Sequence, residues 1–381
     1  MESLKDKWLL AKIHGPVAGT WRKPLIFGLK ANKRIGVKNA RSVVYGTFVG
    51  ISATAQVCHP SHMSIKWGIL GTGGIAHEFA EDVLAHTSME IFAVGSRSKE
   101  NANNFRTGVK GYGSYEELVT SDVDAIYVAT PHQLHCSNTL LALNAGKPVL
   151  CEKPFAINAS EAKLMADTAE NQKLLLMEAM WTRYLPHIQK VRELLPELGE
   201  VTNVIADHGQ SLLHIQRLVD PNYAGGALLD LGIYPVSFTY LILGKPDKIT
   251  AKGVIKNGVD LQSSAIFEYS GGQQALINTN LVAKSPTTAS INGTKARLEL
   301  DTSFYRPTNM RLIYHDGRIV EFKNEYRGHG LREQAIYFEK MLISGKKVSE
   351  LLPMSESISI LETLDEIRRQ IGLKYPMESL D

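Results

Sequence analysis

The chain has 381 residues, of which 44% are apolar and 21% charged, with a formal net charge of +3. This length exceeds one average domain of roughly 150 residues, so we expect two domains. No continuous apolar run approaches the roughly 18 residues of a membrane span, and residues 64–381 contain no basic patch that would indicate nucleic acid, so neither partner is expected.

Residues 1–63 form a basic segment, with ten Lys or Arg against only Glu2 and Asp6. The segment lacks the amphipathic Arg/Ser pattern of an organelle-targeting leader and the apolar core of a secretory signal peptide. We interpret it as a basic N-terminal extension outside the fold, with a targeting leader as the alternative. The rest of the chain is mildly acidic.

The stretch SIKWGILGTGGIA, residues 64–76, places a glycine-rich turn between an apolar run and a helical pattern. In a dinucleotide-binding turn the strand ends in a tight bend, the backbone approaches a pyrophosphate, and a small third residue lets the helix pack on the sheet. The helix N-terminus adds free N–H groups and partial positive charge. The sequence therefore predicts a dinucleotide site at Gly71, Thr72, Gly73, Gly74 and Ile75.

Short apolar runs alternate with helical patterns over residues 64–186. The runs are 65–70, 90–94, 125–129, 148–151 and 173–177. Such alternation predicts βαβ units in a doubly wound parallel sheet, which is a Rossmann domain. The cofactor crevice then lies at the carboxyl ends of the strands.

The residues at the end of the second predicted strand indicate which dinucleotide the protein binds. An NAD-selective strand usually ends in an acidic residue that binds the ribose 2′-hydroxyl. Here the strand leads into Ser96, Arg97 and Ser98 without a carboxylate. A guanidinium fork and hydroxyl groups suit a 2′-phosphate, so we expect NADP, with NAD possible. A solvated basic turn is the alternative interpretation.

Residues 187–381 have a different pattern. Runs 265–269 and 274–278 flank a Gly-rich turn, and runs 310–314 and 318–322 flank Asp316-Gly317, a turn suited to positive φ. These hairpins predict an antiparallel sheet whose strands need only one buried face. Two helical segments, 331–343 and 355–372, complete a second α/β domain.

Further motifs follow the glycine turn in order: Ala129-Thr130-Pro131-His132 with His135, GKPVLCEKP at 146–154, EAMWTRY at 178–184 and GGALLDLGIY at 225–234. With them, residues 64–372 resemble the glucose-fructose oxidoreductase and inositol dehydrogenase (Gfo/Idh/MocA) family of NAD(P)-dependent oxidoreductases. Within it the chain is most similar to dimeric dihydrodiol dehydrogenases and NADP-dependent D-xylose dehydrogenases. The resemblance implies that the second domain binds substrate and contains a large open, mainly antiparallel sheet. It also implies that this sheet forms a homodimer interface.

The resemblance also implies catalytic residues. Lys153 would contact the nicotinamide ribose and the substrate hydroxyl and stabilise a developing alkoxide. Asp230 and Tyr234 have the spacing of an Asp and a His in inositol dehydrogenases, and i and i+4 share a helix face, although Pro235 complicates a helix there. We expect Tyr234 to be the acid/base, with the Lys153 ammonium lowering its ordinary pKa of about 10.

Other residues are placed at the cleft by the same resemblance. Trp181 and Arg183 would line the substrate pocket, Arg183 contacting substrate hydroxyls or supporting the cofactor. The expected cofactor-binding residues beyond the glycine turn and the Ser96–Ser98 segment are Thr130, Pro131, His132, His135, Glu152 and Lys153.

Cys58, Cys136 and Cys151 are an odd number without a C-x-x-C pair. This argues against a disulfide framework and a structural zinc site. We therefore expect a reducing, cytoplasmic environment and no metal.

Together these features predict an NADP-dependent oxidoreductase that transfers a hydride between nicotinamide and a secondary or anomeric hydroxyl of a D-xylose-like sugar or a cyclic diol, including dihydrodiols. The alternatives are an inositol or other sugar dehydrogenase of the same family, and a non-catalytic NAD(P)-sensing regulator. Retention of both Lys153 and Tyr234 favours the enzyme, because a sensor has no chemical need for the pair.

Overall fold

The computed structural model describes residues 65–379, so the basic extension over 1–63 lies outside the described residues. A six-stranded parallel sheet has the order β3-β2-β1-β4-β5-β6. Its strands are β1 Lys66–Leu70, β2 Glu90–Gly95, β3 Lys110–Tyr112, β4 Ala125–Val128, β5 Val149–Glu152 and β6 Leu176–Ala179. The strand order reverses direction between β1 and β4, which places the ligand crevice at their carboxyl ends. The predicted Rossmann sheet is confirmed.

Five helices connect these strands: α1 Gly74–His86, α2 Lys99–Asn103, α3 Tyr115–Val119, α4 His135–Asn144 and α5 Ala159–Gln172. The strand expected at 173–177 begins later, because Lys173 ends α5 in a left-handed conformation with φ of 57°. The short strand β3 had no apolar run to reveal it, since its residues are Lys110, Gly111 and Tyr112.

The second sheet has eight strands in the order β14-β13-β12-β11-β7-β10-β9-β8. They are β7 Val201–Gly209, β8 Lys248–Lys256, β9 Val259–Glu268, β10 Gln274–Asn280, β11 Ala289–Gly293, β12 Ala296–Leu300, β13 Met310–Tyr314 and β14 Ile319–Phe322. Both predicted hairpins, β9–β10 and β13–β14, are present. β7 and β10 pair in parallel, so the sheet is mixed but mainly antiparallel, as predicted.

Four further helices are α6 Pro186–Leu194, α7 Ile233–Leu243, α8 Arg332–Ile343 and α9 Met354–Ile371. Helices α8 and α9 pack against the half of the molecule that contains the first sheet. Phe338 on α8 packs against Trp67 of β1 with ring centroids 5.1 Å apart. On α9, Asp365 accepts a 2.9 Å hydrogen bond from the N–H of Ala159 at the start of α5. The domain boundary at residue 186 stays a prediction, since the C-terminal helices belong to the packing of both sheets.

Residues Pro221–Leu243 include a window with the length and hydropathy of a membrane span. That window is 83% buried within the fold. A buried core helix of a globular protein has the same composition, and α7 is such a helix: Val236 and Phe238 are almost fully buried.

A buried carboxylate ties the two halves together near the cleft. Asp82 on α1 accepts hydrogen bonds from the backbone N–H groups of His329 (3.0 Å), Gly330 (3.0 Å) and Arg332 (2.9 Å). Its side chain is only 2% exposed, and the Arg332 guanidinium lies 3.3 Å away. Asp82 therefore holds the segment before α8 against the helix that begins at the glycine turn.

We expect Asp82→Ala to lower the free energy of unfolding by about 2–4 kcal/mol, because it leaves several buried N–H groups and Arg332 without their acceptor. Urea unfolding followed by circular dichroism measures the loss. Glu81→Ala, at the adjacent exposed position of the same helix, is the matched control. Equal unfolding midpoints for the two variants would show that Asp82 does not join the halves.

Candidate active site

The glycine turn has the geometry of a dinucleotide site. Gly71 has φ of 113°, and a Cβ there would lie 2.6 Å from the carbonyl oxygen of Ala129, so this position requires glycine. Helix α1 begins at Gly74 without a side-chain cap, which leaves its first N–H groups free for an anion. A Cβ added at Gly73 or Gly74 would meet no atom within 4 Å. The turn therefore has open space in front of a helix N-terminus, which fits a pyrophosphate.

A cleft of about 970 Å³ runs from this turn to the second sheet. It is lined by every predicted cofactor-binding residue, and also by Lys153, Trp181, Asp230 and Tyr234. This volume is at the upper end of small-molecule sites, about 1,000 Å³, and suits a large ligand. No group of three or more His, Cys, Asp or Glu side chains within residues 65–379 is arranged to hold a metal ion.

The end of β2 forms the outer part of the cleft. Ser96, Arg97 and Ser98 line it, and the Ser98 hydroxyl oxygen caps α2 by accepting from the N–H of Asn101. Tyr115 at the start of α3 lies beside Arg97 and also lines the cleft. Sequence reasoning missed Tyr115, because β3 that precedes it carried no strand signal.

The two histidines after β4 differ in their roles. His135 is buried, and its ring nitrogens face the carbonyl oxygens of Pro154 at 2.7 Å and Thr130 at 2.8 Å. Its polar atoms therefore join the ends of β4 and β5 and leave only ring carbons for a cofactor. His132 instead lies with its Nε2 3.5 Å from the Asp230 carboxylate. Burial lowers the pKa of His132 despite this carboxylate, so its ring is neutral.

Lys153 and Asp230 meet at the centre of the cleft. The Lys153 ammonium donates to the Asp230 carbonyl oxygen at 2.9 Å and lies 3.4 Å from its carboxylate Oδ1. The Arg217 guanidinium lies 3.3 Å from the same oxygen. Burial opposes ionisation of Asp230, but Lys153, His132 and Arg217 outweigh it and hold the pKa of Asp230 well below its usual range. Asp230 is therefore a buried anion.

A π-helical turn over Leu228–Gly232 presents this carboxylate, and α7 follows it directly. Pro235 has no N–H, and the carbonyl groups five and four residues before it belong to Asp230 and Leu231. Both carbonyls accept side-chain donors instead: Lys153 binds Asp230, and His208 Nδ1 lies 3.2 Å from the Leu231 oxygen. The proline that complicated a helical prediction thus removes one main-chain donor from this turn, beside the two carbonyl oxygens that Lys153 and His208 contact.

The surroundings of Tyr234 differ from the expectation. Its hydroxyl accepts a 3.0 Å hydrogen bond from Trp181 Nε1, and the Lys153 ammonium lies over its ring, 5.0 Å from the centroid. Burial, followed by the charge of Glu152, raises the pKa of Tyr234 well above its ordinary value. The expected lowering by Lys153 is therefore wrong for the free protein, because the ammonium is bound to Asp230 and not to the phenol. Tyr234 is a neutral hydrogen-bond donor.

Glu152 is the last residue of β5, and its charge acts on Tyr234. It accepts hydrogen bonds from the Tyr127 hydroxyl at 2.5 Å and from the Lys153 N–H at 3.1 Å. Burial raises the pKa of Glu152 to about 7. Its protonation state, and hence the negative charge near Tyr234, changes near neutral pH.

The structure brings Trp181 to the cleft but not Arg183. Arg183 is 1% exposed, donates to the Ser237 hydroxyl at 3.0 Å and forms an ion pair with Glu356. The expected contact of Arg183 with substrate is therefore wrong: its charge is neutralised behind the cleft, where it holds the turn that carries Trp181 against α7 and α9.

The sequence also gave no indication of the role of several cleft residues of the second half, of which four matter for the site. They are His208 and Gln210 at the end of β7, Arg217, and Tyr305 in the segment after β12. None of the four belongs to a recognisable motif.

The chain matches known proteins along most of the described fold. Residues 65–180 match the oxidoreductase family with an NAD-binding Rossmann fold, and residues 188–299 match the GFO/IDH/MocA C-terminal domain. The solved structure of KijD10, a 3-ketoreductase from Actinomadura kijaniata in complex with NADP and TDP-benzene, is similar with a TM-score of 0.73 at 25% identity. That match covers 81% of this chain and 98% of KijD10.

Two curated relatives cover nearly the same part of the chain. The human trans-1,2-dihydrobenzene-1,2-diol dehydrogenase is 35% identical over 335 residues, covering 83% of this chain and 99% of the relative. The D-xylose 1-dehydrogenase (NADP(+)) of Hypocrea jecorina is 35% identical over 365 residues, covering 82% and 93%. The chain therefore belongs to the GFO/IDH/MocA family of oxidoreductases, and the predicted family, fold and enzyme class are confirmed.

Proposed function

We propose that this oxidoreductase uses NADP to transfer a hydride between nicotinamide and a ring hydroxyl of a sugar or cyclic diol. The observation that carries the proposal is the convergence of Lys153, Asp230 and Tyr234 in one cleft with the glycine turn. The relatives named as a dihydrodiol dehydrogenase and an NADP-dependent D-xylose dehydrogenase support the substrate class.

The residues present fit the cofactor. The open space at Gly73 and Gly74 fits the pyrophosphate, and Arg97, with no carboxylate beside it at the end of β2, fits a 2′-phosphate. The bound nicotinamide supplies the carbon that accepts or returns the hydride. Lys153 lies at the inner end of the same cleft, where its ammonium can stabilise negative charge on the reacting oxygen.

Tyr234 then moves the proton. Because its phenol is neutral in the buried cleft, it can donate a proton to a carbonyl oxygen when the ketone is reduced. Oxidation is the reverse of this step: the phenolate form of Tyr234 accepts the alcohol proton, and the Lys153 ammonium stabilises the charged oxygen. The Trp181 hydrogen bond fixes the position of the Tyr234 hydroxyl during both steps.

Tyr234→Phe should reduce kcat by about 100-fold or more, the range typical of losing a general acid/base, while NADPH binds nearly as well as to the wild type. Steady-state kinetics and NADPH fluorescence measure the two effects. Tyr223→Phe, at an exposed position of the same half, is the control. Unchanged kcat in Tyr234→Phe would remove this residue from the mechanism.

Arg97→Ala should weaken NADP binding by about 10- to 100-fold and NAD binding much less, because only NADP loses a charge-assisted phosphate contact. Isothermal titration calorimetry with both dinucleotides gives the ratio. Lys99→Ala is a matched control, since its ammonium donates to the Gly111 carbonyl oxygen at 2.8 Å instead of facing the cleft. Equal weakening of both dinucleotides by Arg97→Ala would refute the 2′-phosphate assignment.

We also propose a homodimer through the open face of the large sheet. Ile205, Leu276 and Ile266 are adjacent in register on β7, β10 and β9, and each is 41–44% exposed. The opposite face of these strands is buried, with Ala275 and Phe267 fully covered. An apolar row of this kind on one face of a sheet is typical of a protein interface.

Leu276→Asp should convert the dimer to a monomer, because it would place two charges in the buried centre of a twofold interface. Sedimentation velocity at micromolar concentration distinguishes the two states. Ile343→Asp, which adds a charge at an exposed helix position away from the sheet, should leave the dimer intact. A monomeric wild-type protein would contradict this interface.

A further inference from the structure

Three cleft residues that carry no family motif form one hydrogen-bonded group. His208 is fully buried near the end of β7, Gln210 directly follows β7, and Tyr305 stacks on His208 with ring centroids 4.3 Å apart. The ring of Tyr305 also lies 4.7 Å from that of Tyr234. The group is therefore next to the proposed proton donor.

The protonation of His208 follows from its surroundings. Burial, followed by the nearby Lys153 ammonium, lowers the pKa of His208 to about 3, so the ring is neutral. Its Nδ1 lies 3.2 Å from the Leu231 carbonyl oxygen, which only accepts hydrogen bonds. Nδ1 must therefore carry the proton, and Nε2 must be an acceptor.

This tautomer fixes the orientation of the Gln210 amide. Gln210 Nε2 lies 2.8 Å from His208 Nε2, and only the NH₂ group of an amide can donate to that nitrogen. The same NH₂ group donates to the Tyr305 hydroxyl oxygen at 3.2 Å. Both amide hydrogens are thus used, and the carbonyl oxygen Oε1 has no hydrogen-bond partner among the described residues.

Tyr305 completes the arrangement. Its oxygen accepts from Gln210, so its own O–H is free to donate. Within the described part of the chain, the cleft thus contains a free acceptor, Gln210 Oε1, and a free donor, the Tyr305 O–H, on neighbouring side chains that both line it. An acceptor beside a donor matches a hydroxyl group, which donates one hydrogen bond and accepts others.

We propose that Gln210 and Tyr305 form a subsite that binds the hydroxyl next to the one being oxidised, so that the enzyme selects vicinal diols and polyols over simple alcohols. His208 is the positioning residue that orients the Gln210 amide. This inference rests on the proposed function, because the second hydroxyl is defined relative to the group that reacts at Tyr234.

The selectivity has a direct physical origin. If a hydrogen replaces the second hydroxyl of the substrate, both Gln210 Oε1 and the Tyr305 O–H are left unpaired. If an ether replaces it, the ether oxygen can accept from Tyr305, but Gln210 Oε1 is left unpaired. A binding site rejects a substrate that leaves its polar groups unpaired more strongly than a substrate that lacks only an apolar contact. The subsite therefore distinguishes a diol from a ring of the same size with one hydroxyl.

The test compares a vicinal cyclohexanediol with cyclohexanol. The ratio of kcat/KM for the diol to that for cyclohexanol is measured with NADP for the wild type, Gln210→Leu and Tyr305→Phe. Calorimetric binding of both alcohols to enzyme saturated with NADPH gives a second ratio that does not depend on turnover. Gln172→Leu, at an exposed position of α5, is the matched control.

We expect the wild type to favour the diol and each of the two cleft variants to lower both ratios by about tenfold or more, as the loss of a substrate hydrogen bond predicts. His208→Phe keeps an aromatic ring but removes the acceptor nitrogen. It should lower the binding ratio by raising the dissociation constant of the diol. Gln172→Leu should retain the wild-type ratios.

The possible results distinguish failure of the subsite from failure of the proposed function. Ratios that stay within twofold of the wild type in Gln210→Leu and Tyr305→Phe, or a wild type that binds the diol no better than cyclohexanol, would overturn the subsite. Selective diol binding that depends on Gln210, without any NADP reduction, would support the subsite and overturn the proposed function instead.

Discussion

The contact between Lys153 and Asp230 is the constraint on which the cleft depends. Lys153 follows the last residue of β5 in the Rossmann sheet, whereas Asp230 lies in the second half of the chain, and the ammonium binds both the carbonyl and the carboxylate of Asp230. A buried carboxylate without such partners would be strongly destabilised. The contact therefore keeps Asp230 ionised and holds the Lys153 ammonium in the cleft, over the ring of Tyr234.

Irregular backbone at Leu228–Gly232 makes this contact possible. A regular helix would use its own carbonyl groups, but Pro235 supplies no N–H to the preceding turn, which includes the carbonyls of Asp230 and Leu231. Those carbonyls bind Lys153 and His208 instead, and His208 in turn orients Gln210. The irregular turn thus positions both Lys153 and Gln210, the group that we propose binds a substrate hydroxyl. A π turn at a functional site is a common association, and here it has a specific cause.

Features that depend on neighbouring residues in sequence were predictable, and those that depend on distant partners were not. The glycine turn, the parallel sheet and the two hairpins follow from local patterns. The burial of Arg183 depends on Ser237 and Glu356, and the raised pKa of Tyr234 depends on burial and Glu152, none of which is close in sequence. Gln210 and Tyr305 meet across 95 positions, so no local pattern could reveal their pairing.

The extension over residues 1–63 and the cytoplasmic location stay predictions.

The proposed function requires that this cleft transfer a hydride directly between a carbinol carbon and nicotinamide. The most direct measurement incubates the protein with NADP and a sugar or cyclic diol deuterated at the carbinol carbon, and determines the isotope content of the reduced dinucleotide by mass spectrometry. We expect the NADPH formed to carry the deuterium on one face of the nicotinamide ring. Tight NADP binding with no deuterium transfer from any sugar or diol would contradict it and indicate a protein that senses the dinucleotide without catalysis.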